Sequence, residues 1–168
     1  MQITDLLSRE EWTEVEREFH ILTGMDTNAY DPDGFTFTGE KQWANEICPR
    51  IKEIPAALQA VCSVAHQNLA HIARQTGKPV VEECDIGLTK ICVPVIVNGQ
   101  FIGAFGGCGY LLEDGEVDTF LIHKLTGMEE SEAEKLTASL PLISRSRAED
   151  VALEMEEKIR NIVVTYSG

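Results

Sequence analysis

Apolar positions near the start of the chain fall at Leu6, Leu7, Trp12, Val15 and Phe19, close to the 3.6-residue period, so residues 3–20 are predicted helical. Ser8 followed by Glu10 and Glu11 is an internal capping signal, which leaves open one helix or two broken near Ser8. From Ile21 to Phe37 the period is lost. There Asp31-Pro32-Asp33-Gly34 separates apolar or aromatic runs and predicts a strand, a turn and a second strand over Phe35-Thr36-Phe37. Trp43 to Ile51 suggests a short helix carrying Cys48, ended or kinked before Pro49. The plainest helical stripe runs from Pro55 to Thr76 through Leu58, Val61, Cys62, Ala65, Leu69, Ile72 and Ala73, and Gly77-Lys78-Pro79 stops it.

Val80 and Val81 begin a strand leading to Cys84, and two apolar runs then meet at Asn98-Gly99, a pair that accepts positive φ and suits a two-residue hairpin. Leu111 to Gly115 reads as a loop, followed by two short helices over Glu116–Lys124 and Glu129–Ala138. Pro141 closes that part. A last helix from Arg147 to Val164 places Val151, Met155, Ile159 and Ile162 on one side; at about two heptads it is short for a coiled coil, yet it is a candidate dimerising helix. No internal repeat or low-complexity segment is expected. These elements predict an α/β (α+β) fold, an antiparallel sheet flanked by helices with a C-terminal helical extension, divided as residues 1–145 and 146–168.

Charge narrows the partners. The 28 acidic against 14 basic residues give −14, and phosphate binding needs a basic face, so direct contact with nucleic acid or an anionic membrane is not expected. No apolar run approaches the roughly 20 residues that span a bilayer, and no signal peptide is visible. Five cysteines without a C-x-x-C pair suit a reducing compartment, so a cytoplasmic location is expected.

One set of residues carries a family resemblance. Cys48 with Asn45 and Arg50-Ile51, the helical Cys62, Gly77-Lys78-Pro79, Cys84-x-x-Gly87-Leu88, Val93-Pro94-Val95, Gly99-x-x-Ile102-Gly103 and Gly106-Gly107 together resemble the PocR sensory domain. The tail from Thr126-Gly127-Met128 to Pro141 is similar as well, and the likeness covers about residues 10–165. It implies a PAS-like or GAF-like sensor placed upstream of output domains in bacterial regulators, with short diols or other hydrocarbon derivatives as ligands. The chain departs from the family pattern at His66, Asp85 and Cys108, where the family usually has Asp, His and Gln.

Cys62 and His66 are four apart on a helix and share a face. With Cys48 and Cys84 they form a candidate four-ligand site for zinc or an iron-bearing cofactor, set against the plainer reading of cysteine as a small buried apolar residue. A second reading pairs His66 with Asp85 as a hydrogen-bonded polar patch in an apolar pocket contacted by Cys48, Cys62, Cys84 and Cys108, with Trp43 as a lid. Gly103, Gly106, Gly107 and Gly109 match no phosphate loop and read as close packing along a strand. No nucleophile is assembled with a base, so an enzyme is the least supported class. A small-molecule sensor is expected first, and a metal or redox sensor second.

Overall fold

The computed structural model describes residues 1–167. A 3₁₀ turn at Ile3–Asp5 is followed by helix α1 (Arg9–Thr23), so the first helix is broken at Ser8, whose side chain and that of Glu11 cap each other's backbone N–H. Strand β1 (Asp26–Tyr30) leads into a long irregular segment, then α2 (Ile47–Lys52) and α3 (Pro55–Ala57). A π-helical turn (Leu58–Ser63) runs directly from α3 into α4 (Val64–Thr76). Strands β2 (Val80–Glu83), β3 (Leu88–Val97) and β4 (Gln100–Leu112) come next, then α5 (Thr119–Thr126), α6 (Glu130–Thr137), β5 (Leu142–Ile143) and α7 (Arg145–Ser167).

The strands form one sheet in the order β1-β4-β3-β2, antiparallel throughout, and β5 adds a short parallel pairing to β4. Asn98 (φ 49°) and Gly99 (φ 79°) make the expected tight hairpin turn. Alternation along β3 divides the interior. Ile91, Val93, Val95 and Val97 pack with Trp12 and Phe19 of α1 and with Val151, Met155 and Ile159 of α7, whereas Cys92 faces Leu69 and Ala73 of α4. A third cluster, made mainly by α2, the π-turn, α5 and α6, meets the sheet end at Ile86 and Leu88.

Four expectations need correction. Phe35–Phe37 forms no strand beyond a single Tyr30–Thr36 bridge, because Asp31 Oδ1 accepts from the backbone N–H of both Asp33 and Phe35 and curls the chain. Pro49 lies inside α2 rather than beyond it, in the first turn, where a backbone N–H would have no intrahelical partner. Leu111 and Leu112 belong to β4, held by Pro141, Leu142 and Ile143 running alongside. There is also a short internal repeat: His20-Ile21-Leu22-Thr23-Gly24-Met25 and His123-Lys124-Leu125-Thr126-Gly127-Met128 build the same helix stop twice. In each, a left-handed Gly ends the helix, the Thr hydroxyl donates to the carbonyl four residues back (2.6 Å), and the His Nδ1 meets the Met carbonyl at 2.7 Å.

Candidate ligand-binding site

Register across the sheet places Asp26 of β1, Cys108 of β4 and Lys90 of β3 side by side in one row. All three are buried, on the face that α4 and the π-turn cover. The row exists because β4 bulges at Gly109: Thr89 pairs with Tyr110 but Lys90 with Cys108, so the strand carries one extra residue there. Gly109 has φ 103°, and a Cβ on it would stand 2.7 Å from the Ala44 Cβ. The close approach is stitched by Asn45, whose Nδ2 donates to the Gly109 carbonyl (2.7 Å) and lies 3.3 Å from Cys48 Sγ. Its Oδ1 accepts from the N–H of Ile47 and Cys48, so one side chain caps α2 and fixes the helix to the bulge.

Cys48, Cys62, Cys84 and Cys108 thereby converge from α2, the π-turn, the β2–β3 connection and β4 on one cavity of about 20 Å³. Lys52, Lys90 and the apolar Val61, Ile86 and Leu88 share its wall. The π-helical turn packs an extra residue into its circumference and brings the adjacent Val61 and Cys62 both inward. A neighbouring cavity of about 10 Å³ is lined by Tyr30, His66, Cys92 and again Lys90, which is the common partition. A single water fills on the order of 10–15 Å³ measured this way, so both are water-sized in the closed form. Wider grooves of about 420 and 360 Å³ run along α7, lined by surface residues such as Lys78, Glu149 and Lys158.

Burial sets the charge states. It pushes the Cys48 thiol up to about 12, with Cys108 adding to the effect and the Asn45 hydrogen bond opposing it. It also raises Cys62 and Cys84 against the opposing pull of Lys90. The thiols of Cys48, Cys62 and Cys84 are therefore neutral weak donors at physiological pH, poor nucleophiles and poor metal ligands until deprotonated. His66 is held well below the ordinary imidazole range by burial first and by Lys90 and Lys52 next, so its ring is neutral. Tyr30, buried against it, is shifted well upward, again by burial, and its hydroxyl lies 3.2 Å from His66 Nε2. Burial works against the Lys52 ammonium, yet Cys108 and Asp26 outweigh it and raise its pKa. Asp26 Oδ2 lies 3.3 Å from Lys52 Nζ, and Asn28 Nδ2 donates to the other Asp26 oxygen at 3.0 Å.

Two groupings expected from the sequence do not form. His66 does not join Cys48, Cys62 and Cys84 as a metal ligand, because it turns to Tyr30 on the far side of Lys90. Among the described residues, no group of three or more His, Cys, Asp or Glu side chains is placed to hold a metal ion. Nor does Asp85 pair with His66: it is exposed in the turn after β2 and lines neither cavity. Trp43 is not in the cavity wall, but its ring lies under the Lys52 ammonium, 5.1 Å from centroid to Nζ, so it covers a residue that is. Asp26, Lys52 and Lys90 escaped the sequence reading. Lys90 alone left a signal there, as the only charge within the apolar run Leu88–Val97.

The molecule is thus an α+β domain with an antiparallel sheet and polar groups buried beneath a helix around an internal void. The chain belongs to the family of PocR sensory domains: the model of the sensory domain found in PocR matches residues 5–165, nearly the whole length. No curated protein and no solved structure matches it. The family is one of sensory domains, not of enzymes. No helix among the described residues is long and apolar enough to cross a membrane.

Proposed function

We propose that this domain is the small-molecule input of a bacterial signalling or transcription-regulatory system, with the ligand held between the sheet and the helix that carries Cys62. The observation that carries the reading is the meeting of four thiols from four separate segments with the buried Lys90 and the partly buried Lys52 around one void. Structural cysteines and lysines have no reason to gather in this way, since a lysine inside a core is costly unless paired. Occupation that favours one of two conformations is all that signalling requires, and α7, packed on the opposite face of the sheet, is the output helix in this reading. A thiol-redox sensor is the weaker reading, because burial keeps these thiols protonated.

The closed cavity is water-sized, so a ligand of several heavy atoms enters as its wall gives. The irregular segment before α2 lies outside that lining and reaches it through Trp43, which covers Lys52; the segment is held by Arg17–Glu40 at the surface and by Asn45 at the bulge. A small-molecule library read by thermal shift tests the proposal, with Cys62→Phe as the cavity-filling control. Compounds that stabilise the wild type and not the filled variant support it. Compounds that stabilise both alike bind elsewhere and sink it.

A further inference from the structure

The chemistry of the ligand follows from a count of charges around the void. Lys52 and Asp26 form a pair at 3.3 Å, with side chains 15% and 4% exposed, so their charges cancel. Lys90 is 5% exposed and, among the described residues, makes no ion pair and no side-chain hydrogen bond. Cys62, Cys84 and Cys108 border it on one side, and Cys92 with the Tyr30–His66 pair on the other, and among the described residues no carboxylate lines either cavity. A buried ammonium without a counter-ion is strongly unfavourable, and Lys90 sits in a strand position where an apolar side chain would complete the core. One positive charge is left over inside the protein, facing empty volume.

We infer that the ligand is a monoanion, a carboxylate on a short aliphatic stem, bound with its oxygens at the Lys90 ammonium and its stem against Val61, Ile86 and Leu88. The inference rests on the sensor reading given above and narrows it. One negative charge balances the count; a phosphate monoester, carrying between one and two and needing more room, would exceed it. A neutral diol, the ligand class that the resemblance implies, leaves Lys90 without a counter-charge. The weak S–H donors of Cys62, Cys84 and Cys108 suit the remaining lone pairs of a carboxylate.

Thermal shift and calorimetric titration of the full chain at matched ionic strength test this, with acetate, propionate and butyrate set against propionamide, 1,2-propanediol and inorganic phosphate. The wild type is expected to be stabilised by one or more carboxylates and not by the neutral molecules. Lys90→Met should weaken that binding by more than about tenfold, as removal of one member of a buried charge contact does. Lys90→Gln, which keeps a polar head, serves if the methionine variant does not fold. Carboxylates that stabilise wild type and Lys90→Met equally overturn the inference, as does a series in which none of them binds. Stabilisation by the diol or by phosphate, lost in Cys62→Phe but kept in Lys90→Met, overturns it while leaving the sensor reading standing. Effects of every probe that persist in Cys62→Phe sink both.

Discussion

Lys52 and Lys90 line the same cavity, but their surroundings give them opposite parts. Lys52 neutralises Asp26, so Lys52→Met strands a buried carboxylate and is expected to destabilise the fold by about 3–5 kcal/mol. Lys90→Met removes an uncompensated charge from a core position and is expected to be neutral or to stabilise by about 1–4 kcal/mol in the absence of ligand. Urea denaturation of both variants checks the pair, and equal losses would contradict it. Glu16 is the other buried charge with a consequence. Its Oε1 accepts from the Ala29 N–H at the sheet edge and from Thr38, while Oε2 has no partner. Burial raises its pKa from 4.5 to about 7, those hydrogen bonds notwithstanding. The native state thus holds a proton that the unfolded chain has released, so the stability present below pH 4.5 is lost as pH rises towards 7. The loss is at most about 3 kcal/mol from this group. Glu16→Gln should flatten that slope and make the protein more stable than wild type at pH 8, measured by denaturation at pH 5 and pH 8. At this scale the sequence was partly legible. The cysteines announce themselves by type and Lys90 by interrupting an apolar run, but nothing local marks Asp26 and Lys52, which face each other only after β1 and α2 have been brought together.

Elements whose signals are local were the readable ones. The stripe from Pro55 to Thr76 and the Asn98-Gly99 turn are each decided by neighbouring residues, and both form as expected. The π-turn inside that helix, the pairing of β5 with β4 and the bulge at Gly109 were not readable, because each is settled by what packs against it. The repeated His-x-Leu-Thr-Gly-Met stop is written in the sequence, but at six residues it is too short to stand out as a repeat without the helix ends it builds. Gly109 is the element-scale position with the most to lose. Gly109→Ala forces a Cβ against Ala44 at a backbone angle that L residues avoid, and is expected to cost about 2 kcal/mol or more and to loosen α2. Asn45→Ala leaves the Gly109 carbonyl and two α2 N–H groups without their partner, with an expected loss of about 1–3 kcal/mol. Hydrogen exchange at Ile47 and Cys48 should report both changes, and protection as in the wild type would refute the clip.

For the molecule as a whole, α7 decides whether the division at residue 145 describes an appendage or a structural layer. Ala148, Val151, Ala152, Met155 and Ile159 are buried, mostly against β3 and its neighbours β4 and β2. A chain ending after Ser144 is therefore expected to lose its native circular dichroism and cooperative unfolding, since it exposes one side of the sheet. Cooperative folding of that shorter chain would show α7 to be dispensable.

The two sides of β3 have a consequence of their own. Lys90 looks into the cavities and Ile91, the next residue, looks into the layer built by α7, while across the pairing Cys108 borders the void and Gly107 lies where a Cβ would be 3.3 Å from Met155 Cε. Under the proposed function, a guest that tugs the lysine would tilt the same peptide unit that seats Ile91 against that helix, so that a wall one residue thick would serve as both the door and the bell.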